Sequence, residues 1–433
     1  MALLSLTTLA ISAGIFFTFY IGLIIYRLYF HPLAKFPGPK LAASSLWYEF
    51  YYDIVLRGQF IWKIQEMHER YGWYFLPLRP QLIFTGPIVR INPDELHIDD
   101  PEHYDEIYGS TTRKRDKYGP WVALAGTPGA SFSTVGHDHH RLRRGALNPF
   151  FSKKAVTELE PVIQAKIDTL AGRLEKAHQT GEVIRVDAAF MALTMDVICQ
   201  YAFGNDDGML VKDDFNLAWK EMIIGAFEGG PLLRQFPGMI TMMNAVPDNM
   251  MRFMMPSMRL MLDWKAGVRR RVTQILNRSE KTSHKTIFHE LRDSSLPENE
   301  KTVNRLCDEG QILTGAGSET TAKALTTAVF YLLDNKEKFW KLKRQSLEGS
   351  WSRLEHIPYM VRNLILCRYM IRAYRKQSAV IAEALRLSLG VMTRLPRVAT
   401  EEVLRYKDWE IPFRVSEFSA VFCPSANFLV DPC

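Results

Sequence analysis

From Ala2 to Tyr26 the chain carries no charged residue, a run long enough for the roughly 20 residues that a membrane-spanning helix needs. Phe36-Pro37-Gly38-Pro39 follows, a rigid turn that cannot continue a helix and sets the angle between this segment and the rest. Leu46 to Tyr71 is aromatic-rich and predicted helical, and Ile88-Val89-Arg90-Ile91-Asn92-Pro93 reads as a strand closed by a turn, with Asp94-Glu95-Leu96-His97 opening the next element. Between them Trp73 to Phe84 is apolar and broken by proline, with neither helical nor strand period. A helix is predicted from His137, ended by Asn148-Pro149. From Lys154 to about Asn335 apolar groups recur at three and four residues, through Val162 to Leu174 and Met191 to Tyr201. Ser279 to Glu300 is polar and reads as a loop around a short helix. Ser378 to Leu387 is a further helix, and Tyr406 to Pro412 a hairpin. The pattern predicts an anchor over 1–30 and a mainly α body with a small β region over 31–433.

The longest helical pattern runs from about Val303 to Leu333 and is interrupted by Thr314-Gly315-Ala316-Gly317-Ser318-Glu319-Thr320-Thr321. Two glycines inside a helix cost roughly 1 kcal/mol each relative to alanine. The stretch is a loss unless the gap is used, and an acid followed by two hydroxyls suggests proton handling beside a bound group.

Composition narrows the picture. With 433 residues, 47% of them hydrophobic, the chain can bury a large core. A net charge of +7 suits nucleic acid, an anionic membrane surface or an acidic redox partner. The first segment favours the membrane: it lacks the positive n-region, short apolar core and small-residue cleavage site of a signal peptide, so an uncleaved anchor is expected. Arg27, Lys35 and Lys40 are the first charges after it, which places the body on the cytosolic side. No nucleic-acid-binding module is evident. Five cysteines, Cys199, Cys307, Cys367, Cys423 and Cys433, lack the spacing of a disulfide framework or a zinc site and are expected to be reduced.

His137-Asp138-His139-His140-Arg141-Leu142-Arg143-Arg144 groups three histidines with arginines that would repel a metal cation. His140 and Arg144, four apart, share a helix face and can present several donors to one anion; a solvated basic face would show the same pattern. Methionines crowd Met239 to Met261, a soft surface suited to a bulky apolar ligand, to a bilayer or to core packing. Glu383 and Arg386 lie at i, i+3 among apolar residues, where a buried pair is expected.

Taken in order, the anchor, Phe36-Pro37-Gly38-Pro39, His140-x-x-x-Arg144, Ala316-Gly317-x-Glu319-Thr320-Thr321, Glu383-x-x-Arg386 and Arg397 resemble a membrane-bound cytochrome P450, a haem-thiolate monooxygenase. Gly86 to Pro93 and Leu147 to Ser152 resemble the fungal microsomal members. The resemblance implies haem b, electrons from NADPH through a flavoprotein reductase, the endoplasmic reticulum membrane and a small apolar substrate. Fungal relatives often act in secondary metabolism, on terpenoids or polyketides. It implies that Ala316 and Gly317 open a groove over the haem, that Glu319 and Thr320 hand protons to the reacting oxygen, and that His140, Arg144 and Arg397 hold the propionates. Glu383 and Arg386 would lock the core structurally.

One part of the family pattern is missing. The iron ligand is expected in a loop Phe-x-x-Gly-x-Arg-x-Cys-x-Gly, which this sequence does not contain; Cys423 sits in Phe422-Cys423-Pro424-Ser425 instead. The family-like text stops at Pro412, and Val415-Ser416 can be encoded by a typical intron start. Val361-Arg362 and Gln377 carry comparable splice signals, and deleting Trp73 to Gly86 also restores a family-like run. The expectation is therefore that 73–86, 361–377 and 413–433 are translated introns, with the last a non-native tail and the family's C-terminal part missing. The alternative to an active monooxygenase is a non-catalytic, truncated membrane protein.

Overall fold

A computed structural model of the protein describes residues 6–71, 73–75, 82–84, 88–108, 113–277, 286–347, 375–388, 393–413 and 416–419. Leu6–Ile25 is a helix exposed from Ala10 to Gly22 and half-buried at Leu23 and Ile24, and a π-helical turn, Tyr26–Phe30, ends it. The Phe36-Pro37-Gly38-Pro39 turn is clamped to the first strand: Arg90 N donates to Pro37 O at 2.7 Å. Gly38 is needed there, because its φ is +158° and a Cβ would fall 2.3 Å from Arg90 O.

The body is built around one helix, Val303–Asp334. The Thr302 hydroxyl caps its start by accepting from Arg305 N at 3.4 Å. Asn335 ends it and caps the helix Lys336–Leu347 by accepting from Lys338 N. The helix Val186–Phe203 lies along the central helix, and Arg259–Asn277 packs on it from another side. Phe190, Leu170, Trp219 and Ala322 share one core; Phe203 stacks on Phe288 at 4.8 Å in a second, with Val268 and Leu306. Val186–Phe203 is apolar enough to cross a membrane by composition, yet 67% of it is buried inside the body.

The helices read from the 3.6 period fall where expected, in Glu160–Thr180 and Val186–Phe203. The expected hairpin is Leu404–Tyr406 against Trp409–Ile411. Ile88–Arg90 pairs antiparallel with Glu95–Ile98 across a turn in which Asn92 Oδ1 accepts from Asp94 N. These strands belong to a five-stranded sheet, continued by Ser416–Ser419, Arg397–Ala399 and Arg115–Lys117. Ser416–Ser419 lies within the stretch read as a non-native tail, and its backbone pairs parallel with Glu95–Ile98 and antiparallel with Arg397 and Val398. Such pairing uses main-chain groups that any sequence offers. Of the other two stretches read as introns, Trp73–Phe75 and Leu82–Phe84 form an antiparallel pair; 361–374 lie outside the described residues. The methionine-rich region is mainly surface, with Met242, Met250, Met254 and Met255 exposed and Met251 buried, so plain core packing does not account for it.

Candidate active site

The central helix has no break. It is helical throughout, and the hydroxyls of the expected interruption are absorbed by the preceding turn: Thr314 donates to Gly310 O at 2.7 Å and Thr320 to Ala316 O at 2.9 Å. The expected glycine-permitted distortion is therefore corrected to a different use of glycine. A Cβ on Gly310 would meet Val268 at 2.8 Å and Phe203 at 3.2 Å, and one on Gly317 would meet Ile198 at 3.1 Å. These positions are bare so that neighbouring helices can approach. Thr194 completes the seam by donating to Ser318 O at 2.7 Å.

Ala316 and Thr320, one turn apart, are exposed on another face, with Glu319 half-buried beside them. Glu309 stands two turns before Ala316 on the same stripe. It is buried and accepts from Ser131 Oγ at 2.7 Å, Ser131 N at 3.0 Å and Arg305 Nη2 at 2.6 Å. Asp308 accepts from Gly129 N at 2.8 Å. Two successive acids thus fasten the loop around 129–131 to the helix.

That loop holds one wall residue of a basic pocket. Lys117 Nζ donates to Ser131 O at 3.1 Å and Phe132 O at 2.7 Å. With Arg113, Arg115, His137, His140 and Arg397 it lines a cavity of about 120 Å³. Arg113 and Arg115 are neutralised by Glu106 and Glu402. Among the described residues Lys117, His140 and Arg397 have no ion-pair partner. Burial, then Arg397, push Lys117 down to about 8 despite Glu309; burial, then Lys117 and Arg397, push His140 down to about 4. Burial lowers Arg397 as well. Two cations, Lys117 and Arg397, and the neutral imidazole of His140, whose protonation they oppose, meet at one cavity and form a donor set that fits an anion.

The histidine-rich helix His137–Leu147 divides its labour by face. His137 and His140 turn to the pocket. His139 and Arg143 bind Glu300, at 2.7 and 2.6 Å, and Arg143 reaches Thr134. Arg144 does not line the pocket: it is exposed and lies over the Phe151 ring at 5.4 Å, near enough to depress Lys117 and His140 electrostatically.

Glu383 and Arg386 do meet, at 2.7 Å through both guanidinium nitrogens used. Their side chains are 54% and 56% exposed, so the expected buried pair is corrected to a surface one. The helix Arg375–Leu387 is covered on one side only, where Ala384 is buried and Val380 packs on Phe339. A buried arginine that the sequence reading did not mark is Arg394. It binds Glu95 at 2.5 Å and Glu49 at 2.6 Å; Glu49 and Asp53 also bind Arg234, and Asn92 donates to both Glu49 and Glu95.

A cytochrome P450 profile matches residues 84–412. The chain belongs to the cytochrome P450 family. The match ends where the family-like text stops. The conidiogenone synthase PchP450 of Penicillium rubens is 42% identical over 401 residues, covering 92% of this chain and 75% of its own length. Cytochrome P450 monooxygenase MO6277 of Ascocoryne sarcoides is 38% identical, over 94% of this chain and 77% of its own length. The crystal structure of a cytochrome P450, CYP102L1, superposes with a TM-score of 0.58 at 16% identity, covering 83% of this chain and 72% of that one, a likeness of fold. The protein is thus an oxidoreductase of the monooxygenase type in a haem-iron family, with an N-terminal apolar helix compatible with a membrane anchor.

The residues present fit one end of a haem. Lys117, His140 and Arg397 suit its carboxylate edge. A thiolate is a different matter: Cys199 and Cys307 are packed inside hydrophobic cores, and burial pushes their thiols up to about 12 and about 11. Cys367, Cys423 and Cys433 lie outside the described residues.

Proposed function

We propose that this protein is a membrane-anchored monooxygenase that inserts one oxygen atom into an apolar small molecule of fungal secondary metabolism, of terpenoid or polyketide type. The observation that carries the reading is the carboxylate-free basic pocket at Lys117, His140 and Arg397. It is joined through Ser131 to Glu309 and so to the helix face bearing Ala316 and Thr320. His140 and Arg397 hold the propionates, with Arg144 and Lys117 adding charge. Ala316 would shape the helix surface facing the haem, while Gly317 lets Ile198 close on another face of the same helix. Thr320 would present its own hydroxyl proton at that surface by releasing its bond to Ala316 O, and Glu319 would resupply it. The bound haem supplies oxygen activation, with electrons from NADPH through a flavoprotein reductase, for which the net charge of +7 provides a complementary surface. Residence in the endoplasmic reticulum membrane with the body in the cytosol is supported by Leu6–Ile25 and the basic residues that follow.

A second reading is favoured by one observation: both described cysteines, Cys199 and Cys307, are buried in packed cores. On it, neither of them holds haem and the body is non-catalytic. Expressed protein, reduced and exposed to carbon monoxide, separates the two. A thiolate-haem Soret band supports the monooxygenase. Its absence here, with recovery in a version lacking 361–377 and carrying the family's cysteine loop, supports the second.

A further inference from the structure

Where the apolar helix meets the body, the chain encloses a cavity of about 570 Å³ that the proposed oxygen chemistry does not use. Arg90 forms part of its wall and is 2% exposed. Its guanidinium donates to Arg27 O at 2.9 Å and Pro93 O at 2.8 Å, and Nη2 lies 3.4 Å from His31 Nδ1; all three partners are uncharged acceptors. Nε has no partner among the described residues. Asp94, the nearest acid, is turned toward His31 at 3.9 Å. Burial pushes Arg90 down to about 10, outweighing Asp94, and Arg27 adds to the fall. A buried charge without a partner is costly, and here it borders a cavity.

The other lining residues say what kind of anion belongs there. Lys40 and Arg70 stand at the rim with no carboxylate partner among the described residues, while Lys63 is neutralised by Glu66 at 2.6 Å. Phe36, Tyr48 and Met67 make the remaining wall apolar. Around the mouth, Tyr29, Phe30, Leu41 and Trp47 are exposed, an aromatic and aliphatic apron continuous with Leu6–Ile25. Aromatic side chains of this kind settle at the headgroup level of a bilayer. A free inorganic anion would satisfy the cations and leave the apolar wall and the apron without a use.

We propose that this cavity seats one glycerophospholipid of the surrounding bilayer, its phosphate on Arg90, Lys40 and Arg70 and its apolar portion against Phe36, Tyr48 and Met67. The proposal rests on the anchor reading above, and its test separates the two. Full-length protein, the double variant Lys40→Glu/Arg70→Glu and the charge-matched control Lys153→Glu/Lys154→Glu are mixed with phosphatidylserine vesicles, floated, extracted into detergent and weighed by native mass spectrometry. All three float if the anchor holds; failure of the unmodified protein to float overturns the anchor reading and this one with it. One retained phosphatidylserine per chain is expected for the unmodified protein and the control, falling roughly tenfold in the double variant. No retained lipid, or equal retention in all three, overturns the pocket while leaving the anchor intact. Displacement of the lipid by excess inorganic phosphate would reassign the cations to a free anion and also overturn it. Arg90→Met is expected to abolish retention; should that variant fail to fold, the rim variant decides alone.

Discussion

Ser131 gives both its backbone N–H and its hydroxyl to the two carboxylate oxygens of Glu309, at 3.0 and 2.7 Å. The pair joins the basic pocket to the central helix, because the Ser131 carbonyl on the other side accepts from Lys117. Glu309 also neutralises buried Arg305. Glu309→Ala therefore leaves a buried guanidinium without its nearest partner and is expected to destabilise the protein by about 3–5 kcal/mol. Ser131→Ala, which removes only a hydroxyl, should cost about 1–2 kcal/mol. Urea midpoints at constant slope measure both.

The glycines of the central helix are separable. Gly310→Ala places a Cβ 2.8 Å from Val268 and is expected to destabilise by about 1–3 kcal/mol through overpacking. Gly315→Ala meets Trp264 only at 3.8 Å, an ordinary contact, so its gain in helix propensity, up to about 1 kcal/mol, should show as a raised melting temperature. Equal effects at the two sites would refute the packing account.

The arginine network has a pH signature. Burial alone would raise Glu49, but Arg394 and Arg234 hold it down at about 2, below its ordinary 4.5. A carboxyl depressed in this way stabilises the fold above pH 4.5, and the contribution is lost as pH falls toward 2. Arg394→Met should cost about 3–5 kcal/mol at neutral pH. The difference between variant and unmodified protein should narrow steadily below pH 4.5, as read by denaturation midpoints along the pH series.

His140 runs the same way over a higher pH window. Its proton affinity is lowered in the fold, from 6.5 to about 4, so the unfolded chain binds the extra proton more readily. Stability therefore falls as pH drops from 6.5 to 4, and His140→Gln should flatten that limb in the haem-free protein. Haem loading, read as Soret absorbance per protein, should decrease in His140→Gln and in Arg397→Gln.

Glu383→Ala serves as the contrast. With both partners more than half exposed, the melting temperature should stay within error. A large loss would restore the buried role that the motif suggested.

Elements with strong periodicity were legible: the apolar first helix, the central helix and the hairpin after Leu404 each follow from local spacing. The pairing of Arg394 with Glu95 was not, because 299 residues separate them and nothing in either neighbourhood marks the partner. Glu383 misled for the opposite reason, since apolar neighbours in sequence do not fix which helix face is covered. His139 carried a readable signal: with Arg143 it repeats the i, i+4 spacing of His140 and Arg144, rotated by one residue onto another face. Gly315 and Gly317 were read as a cost to the helix, whereas the use of Gly317 depends on Ile198 arriving from elsewhere.

Val186–Phe203 carries a consequence for how the chain is made. Its sequence qualifies for lipid, yet it must end up enclosed by protein. Asp196 tips the choice: its carboxylate accepts from Met209 N and Leu210 N in the folded body, partners that a bilayer does not offer. On the anchored reading proposed above, the chain presents a second stretch to the insertion machinery, and a single acidic side chain helps that stretch refuse the invitation.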